Sequence, residues 1–197
     1  MKPLTDSEKR EREGTILRAA TRILAAKGFD GLTMDEVARE AGLAKGTLFL
    51  YYRRKEDLVL AVFSGMAESF GLELRALAAS GKPPQELLDS AIRALLGHFD
   101  RKRDITGYSG GLPLAGASRE ALRERFAANM QAIADILAVC AAGGLLELPD
   151  PLFCASALFG LCRGSNTYAR AAGRKLPLEE RASRVRDIFL DGTRKKR

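Results

Sequence analysis

Apolar residues recur along most of this chain at intervals of three and four, with charged residues between them, a period typical of amphipathic α-helices. The first such segment runs from Asp6 to Lys27, and Gly28 is predicted to end it. No segment alternates apolar and polar residues over a convincing length for a strand. The sequence therefore predicts an all-α protein. The buried stripe of the first helix is predicted to contain Ile16, Ala19, Ala20, Ile23 and Leu24.

Two short helices are predicted next. Thr33 and Glu36 have the spacing of a capping box, which indicates that a helix begins directly after Thr33 and covers about 34–41. Gly42 interrupts the pattern, and a further helix is predicted over about 45–52. Because only about three residues separate these helices, they must cross sharply.

A fourth helix is predicted to begin at residue 55 or 56, and four more helices are predicted after it. The glycine-rich segment 104–118 is predicted to be a loop with at most one short helix. We expect a helix-turn-helix domain over 1–54 and a helical ligand-binding and dimerisation domain over 55–197. The later helices are predicted at about 85–100, from 118 to the glycines at 143 and 144, at 151–171 and at 178–191.

Composition narrows the class of protein. With 197 residues, 46% hydrophobic and 29% charged, the chain is long enough to bury a core and is typical of a folded protein. No apolar run approaches the roughly 20 residues that span a bilayer, and the first residues are too polar for a secretory signal. Three cysteines, an odd number, do not make a disulfide framework. We therefore expect a cytoplasmic protein without a membrane partner.

The net charge of +7 favours a polyanionic partner but does not decide the matter. Residues 1–58 hold 12 Lys and Arg against 10 Asp and Glu, so the excess of positive charge is not concentrated there. A case for DNA binding must therefore rest on where the charges lie.

The segment 42–58 places large apolar groups and cations on one short helix. If positions 48 and 52 face inward, positions 45, 46, 49 and 50 face outward. Two short helices that cross after a glycine turn, supported by a preceding helix, are the parts of a helix-turn-helix DNA reader. Lys45 and Thr47 are predicted to meet phosphates, and Phe49 and Leu50 to contact thymine methyls or sugars. The alternative is that Phe49 packs on another helix and the charges are solvated. Gly46, Arg53, Arg54 and Lys55 complete the predicted docking face.

Residues from about Ile16 to Leu58 resemble the DNA-binding head of the TetR family of bacterial repressors. The pieces that match are ILRAATRILAAKGFDGLT and MDEVAREAGLAKGTLFLYYRRKEDL. Ala44 departs from the resemblance where Ser or Thr is usual, so a helix cap is missing, and Phe49 departs where Tyr is common. The resemblance implies a homodimeric repressor that binds a palindromic DNA operator and is released by a small-molecule inducer. It places Thr33, Lys45, Thr47, Tyr51 and Lys55 at phosphate or base contacts.

The helix predicted at 151–171 is apolar nearly all round, so it must be buried on more than one side. Its small residues Ser156, Gly160 and Gly164 form a row that lets another backbone approach closely. We predict that this helix and the last one pair with their copies in a two-fold four-helix bundle. The alternative is that the row faces a helix of the same subunit. Val185, Ile188 and Phe189 are the predicted contacts from the last helix.

Ligand and catalytic sites are less visible. No nucleophile and base stand at a readable spacing, no phosphate-binding loop is present, and the cysteines and His98 show no metal spacing. We expect no catalytic residue, no metal and no cofactor, and hence no enzyme. Two other classes stay open: a small-molecule carrier or enzyme with a non-functional head, and a non-specific DNA-coating protein. The candidates to line an inducer cavity, or alternatively plain core, are Phe99, Tyr108, Phe126, Met130, Phe159 and Asn166.

Overall fold

The computed structural model describes residues 5–105, 117–171, 173 and 176–193, and these ranges contain eight α-helices and no strand. The predicted all-α fold is confirmed. The helices are α1 (Asp6–Gly31), α2 (Met34–Glu40), α3 (Lys45–Tyr51), α4 (Lys55–Ala78), α5 (Pro84–Ile105), α6 (Ala117–Ala142), α7 (Pro151–Ala171) and α8 (Leu178–Thr193).

The regular geometry of the first helix stops at Gly28. This residue takes φ 70° and ψ −174°, so it breaks the helical geometry, but the chain resumes a helical turn and α1 ends only at Gly31. A glycine adopts a positive φ without the steric cost that a Cβ imposes. Gly28 therefore interrupts the regular helix where its end is predicted, and one further helical turn follows to Gly31.

The N-terminal unit comprises Met1–Met66 and Lys102–Leu122. The apolar stripe of α1 is buried as predicted, and the inner faces of α2, α3 and the first turns of α4 close over it. Burying one Leu, Ile or Val side chain contributes about 1.5–3 kcal/mol, so this shared core is what holds the short helices in place. Its largest fully buried members are Ile16, Leu24, Leu32, Leu48 and Leu58.

The boundary by packing falls after Met66, inside α4. Leu58, Val59, Val62 and Phe63 are buried in the core of the N-terminal unit, so the first turns of α4 belong to it. The predicted domain boundary between residues 54 and 55 lies instead at the start of this helix.

The C-terminal unit comprises Ala67–Arg101 and Arg123–Arg197. Its core includes a charged group: Arg181 of α8 is only 6% exposed. The Arg181 Nη1 donates to Asp100 Oδ1 at 3.1 Å, and Asn166 Nδ2 donates to the same oxygen at 2.8 Å. A buried charge is tolerated when it is paired and hydrogen-bonded, so this network ties α5, α7 and α8 together in one arrangement. Around it pack Leu88, Ile92, Leu95, Ile133, Leu137, Leu158 and Val185.

One described segment, Glu120–Ala142 of α6, is long and apolar enough to cross a membrane by length and composition, with a mean hydropathy of 1.2 in its most apolar window. Its Ile133, Leu137 and Cys140 are fully buried in the core of the C-terminal unit. A core helix has the same apolar composition as a spanning helix, and burial of this side accounts for it.

The first prediction concerns the cap of α3. Ala44 has the extended backbone of an N-cap residue, φ −65° and ψ 144°, but provides no side-chain hydrogen bond, which confirms the missing cap. In Ala44→Ser a hydroxyl can accept from a free N–H of the first turn, so we expect the free energy of unfolding in urea to rise by about 1 kcal/mol.

The matched control for this change is Ala26→Ser. Ala26 is exposed within α1. There a serine lowers helix propensity, and we expect a loss of a few tenths of a kcal/mol. Equal effects at the two positions would contradict a capping role for residue 44.

Candidate nucleic-acid interface

The turn between α2 and α3 depends on Gly42, whose φ is +68°. Its N–H donates to Arg39 O at 3.1 Å, and the N–H of Leu43 donates to Ala38 O at 2.9 Å, which satisfies carbonyls at the end of α2. At the start of α2, the Glu36 N–H donates to Thr33 Oγ1 at 3.2 Å. Both ends of this seven-residue helix are thus closed by local hydrogen bonds, and the crossing is defined.

Helix α3 has an inner and an outer face. Leu48 is fully buried, and Tyr52, directly after the helix, is also buried. Leu50 is 85% exposed and Phe49 is 38% exposed, while Lys45 and Gly46 are exposed beside them. Phe49 therefore does not pack in the core. The helix presents large apolar groups to water on one face, next to a cation.

Tyr52 anchors the end of α3 to α1. Its hydroxyl donates to Glu13 Oε1 at 2.8 Å, across 39 residues of sequence. Burial, together with the hydrogen bond to the Glu13 carboxylate and its negative charge, raises the pKa of Tyr52 well above its usual range. The protonated phenol is the donor, so the folded state favours it. Sequence reasoning missed Glu13, because nothing local marks a partner so far along the chain.

The predicted cations differ in whether they are already paired. Lys45 Nζ lies 2.7 Å from Asp35 Oδ1, and Arg54 Nη2 lies 2.9 Å from Asp57 Oδ1. Lys55 Nζ lies 4.3 Å from the centre of the Phe29 ring. Arg53 is exposed and has no ion-pair partner among the described residues. The other predicted DNA contacts are Thr33, exposed, and Thr47 and Tyr51, both half-buried.

The predicted dimer residues fall into two groups. Ser156, Gly160 and Gly164 are exposed on α7, and a Cβ added at either glycine would meet nothing within 4 Å. The row therefore does not face a described helix of the same subunit. Ile188 is also exposed, whereas Val185 and Phe189 are buried in the core of the C-terminal unit.

Two further apolar residues lie exposed on α7. Phe153 is 71% exposed and Leu152 is 49% exposed. The apolar character of the helix was visible in the sequence, but which of its residues face water was not.

Part of the predicted pocket is brought together. The ring of Phe159 lies 4.8 Å from Phe99 and 5.3 Å from Phe126, both edge-on. Met130 is buried in the same core, and Asn166 is engaged with Asp100. Tyr108 lies outside the described residues. The three rings form one aromatic cluster across α5, α6 and α7, and Phe126 is its exposed member.

The cysteines and His98 are accounted for by packing. Burial raises the pKa of the Cys140 thiol to about 11 and that of Cys162 to about 12, so both stay protonated and unreactive at neutral pH. The ring of His98 stacks on Phe70 at 4.1 Å between centroids. Among the described residues, no group of three or more His, Cys, Asp or Glu is placed to hold a metal ion.

A supporting helix followed by two short helices that cross at a glycine turn defines a helix-turn-helix domain. The family model for bacterial regulatory proteins of the tetR family matches residues 16–62, which run from the core of α1 into α4. The N-terminal helix-turn-helix part of the chain therefore matches this family, as the resemblance in its sequence indicates.

Two relatives and one solved structure give the extent of the similarity. The chain is 35% identical over 102 residues to the uncharacterized HTH-type transcriptional regulator YerO of Bacillus subtilis, covering 50% of this chain and 34% of that protein. It is 25% identical over 139 residues to the HTH-type transcriptional regulator HbdR of Aromatoleum sp., covering 70% of this chain and 61% of that protein. The chain thus spans less than two thirds of the length of these curated relatives.

The fold is similar to that of the transcriptional regulator FadR from Bacillus subtilis, solved in complex with stearoyl-CoA. The TM-score is 0.74 at 19% identity, and the match covers 92% of this chain and 99% of that chain. At this identity the likeness establishes the fold.

The second prediction tests the anchor of α3. Tyr52→Phe removes the hydrogen bond to Glu13, and we expect the free energy of unfolding to fall by about 1–3 kcal/mol near neutral pH, since the acceptor is charged. Because the folded pKa is raised above the unfolded value of about 10, the contribution of Tyr52 is complete below that pH and is lost as pH rises above it. The difference between the two proteins should therefore shrink in alkaline urea titrations.

Tyr168→Phe is the control, since Tyr168 is an exposed tyrosine of α7. We expect it to have a small effect that does not change with pH. A difference between Tyr52→Phe and the unsubstituted protein that stays constant from neutral pH to well above 10 would contradict the proposed coupling.

Proposed function

We propose that this protein is a homodimeric transcriptional repressor that binds a palindromic DNA operator through α3 and is released by a small-molecule inducer. The single observation that carries the DNA-binding part is the outer face of α3, where Leu50 is 85% exposed. An apolar side chain held in water at this position can contact thymine methyls in the major groove, where apolar contacts read sequence. The neighbouring cations supply the phosphate contacts that set register.

The dimer part of the proposal is supported by the exposed face of α7. Phe153 and Leu152 lie in water next to the open row of Ser156, Gly160 and Gly164, and α8 adds the exposed Ile188. Exposed apolar side chains beside small residues on α7 fit a self-complementary two-fold interface. Val185 and Phe189 would support it from the subunit's own core. Two α3 helices held by such a dimer would reach half-sites about 34 Å apart.

The ligand part rests on the aromatic cluster of Phe99, Phe126 and Phe159. Apolar rings with one exposed member are suited to an apolar ligand, with Met130 and Tyr108 as further candidates for contact. The similar structure of FadR holds stearoyl-CoA, which makes a long acyl chain a reasonable class to test. Such a ligand releases DNA only if it binds the DNA-free state more tightly than the DNA-bound state. The proposed binding to chromosomal DNA requires that the protein is located in the cytoplasm.

The third prediction tests α3 as the reader. The probe is a duplex selected from a random-sequence pool by the unsubstituted protein. We expect Leu50→Ala to weaken binding to this duplex about tenfold, because the apolar contact is lost, and to leave binding to unselected DNA unchanged. Fluorescence anisotropy titrations at fixed salt measure both.

Leu72→Ala is the matched control, since Leu72 is an exposed leucine of α4 in the C-terminal unit. It should leave both affinities unchanged. Equal loss on all sequences after Leu50→Ala would favour a non-specific DNA-coating protein. A protein that binds no duplex at low salt would favour a carrier or enzyme with a non-functional head.

The fourth prediction tests the dimer surface. Gly160→Glu is tolerated by a single subunit, since an added Cβ meets nothing within 4 Å, but it would bury an unpaired charge in the proposed interface. We expect the dimer dissociation constant to rise about 100-fold or more in sedimentation equilibrium.

Gly65→Glu is the control for this change. Gly65 is an exposed glycine within α4, also with nothing within 4 Å of an added Cβ. This variant makes the same gain in helix propensity and should stay dimeric. If Gly160→Glu also stays dimeric, the interface lies elsewhere.

A further inference from the structure

An acidic residue lies against the predicted phosphate-contacting lysine. Asp35 is in the first turn of α2 and Lys45 is the first residue of α3. Asp35 Oδ1 lies 2.7 Å from Lys45 Nζ, and the two side chains are 67% and 61% exposed. The pair links the two crossing helices on their solvent side. An ion pair this exposed adds little to the stability of the fold.

The ion pair between Asp35 and Lys45 lies on the proposed DNA-binding face. Lys45 lies on the outer face of α3 with Leu50, and Asp35 follows Thr33 by two residues. The other acid in this turn, Glu36, is engaged by Lys27 at 2.6 Å. Asp35 is therefore the carboxylate that holds Lys45 at the face where a DNA phosphate is expected.

We propose that Asp35 competes with DNA phosphate for Lys45 and so lowers the affinity of the N-terminal unit for DNA of any sequence. This inference rests on the proposed function, because it requires α3 to bind DNA. The competition is intramolecular, so it acts in every encounter of the free protein with a duplex.

The mechanism is an exchange of ions. When an unpaired cation contacts a phosphate, the counterion condensed on that phosphate is released, and affinity rises as salt falls. When Lys45 makes the same contact it must leave Asp35, whose carboxylate then attracts a cation of its own near the DNA. Net cation release is smaller, and Lys45 contributes less to non-specific binding than Arg53, which has no ion-pair partner among the described residues. Sequence-dependent contacts by Leu50 then form a larger share of the total affinity.

The experiment is a double-mutant cycle with Asp35→Asn, Lys45→Gln and the double variant in the full-length protein. The probe is a mixed-sequence duplex of about 30 base pairs, long enough for two half-sites. Anisotropy titrations run from about 50 to 200 mM salt. We expect Asp35→Asn to bind about threefold to tenfold more tightly at the lowest salt, with a salt slope steeper by up to about 0.9.

The same substitution must act through Lys45. In the Lys45→Gln background, Asp35→Asn should raise affinity clearly less than it does when Lys45 is present, since the ammonium for which Asp35 and phosphate compete is gone and only the direct repulsion between Asp35 and phosphate remains. Glu73→Gln is the control for net charge. Glu73 lies on α4 in the C-terminal unit and is paired with Arg101 at 3.3 Å. Its substitution removes one negative charge elsewhere and should leave binding unchanged.

Each outcome decides between the two proposals. Equal affinity and slope for Asp35→Asn and the unsubstituted protein, with both bound to DNA, overturns the competition and leaves the proposed function standing. An equal gain in the Lys45→Gln background also overturns it, because the effect is then one of general charge. If all four proteins fold by circular dichroism and none binds a duplex at the lowest salt, the proposed function fails and the competition fails with it.

Discussion

Burial of Leu48 against the core of the N-terminal unit is the contact on which the outer face of α3 depends. The helix has only seven residues, too few to be stable by itself, so its orientation comes from tertiary packing. With Leu48 and Tyr52 turned inward, the helical period leaves Phe49 and Leu50 on the opposite side. The positive φ of Gly42 and the hydrogen bond from Tyr52 to Glu13 hold the two ends of this arrangement. The apolar face toward water is therefore imposed by the core.

The charges of the N-terminal unit are arranged as local pairs more than as a positive field. Lys45, Arg54 and Lys27 each have a carboxylate partner, and Lys55 lies over an aromatic ring. A carboxylate partner lowers the positive potential around each cation that it pairs with. The proposed DNA binding by an N-terminal unit of nearly balanced charge would therefore require a surface of suitable shape that brings several cations to phosphates together, which would favour selectivity over general attraction.

The C-terminal unit combines a rigid interior with an open surface. Arg181, Asp100 and Asn166 form a partly buried network in which each partner is constrained by the others, so α5, α7 and α8 keep one relative placement. On the outside of α7, Phe153 and the small-residue row are left in water. Exposed large apolar side chains beside small residues are a common property of surfaces that associate.

The helices and their turns could be read from the sequence because they depend on residues close together in the chain. The helix predicted at about 151–171 is observed at Pro151–Ala171, and the missing cap at Ala44 followed from one side chain. Two local features near the ends of α1 were not predicted from the sequence. Gly28 interrupts the regular helix as expected, but the helical turn that follows it to Gly31 was not predicted. Thr5 and Glu8 form a complete capping box that the expected helix start did not use.

The sequence by itself determined approximately where the helices lie and which residues can form an apolar stripe, because backbone hydrogen bonds and side-chain period are local properties. Only the tertiary structure decided which stripe faces its own core and which faces water. Val185 and Phe189 turned inward while Ile188 and Gly160 stayed open. It also decided the partners of Lys45 and Tyr52, since ion pairs and hydrogen bonds form over a few ångströms and depend on which distant residues the packed helices bring together.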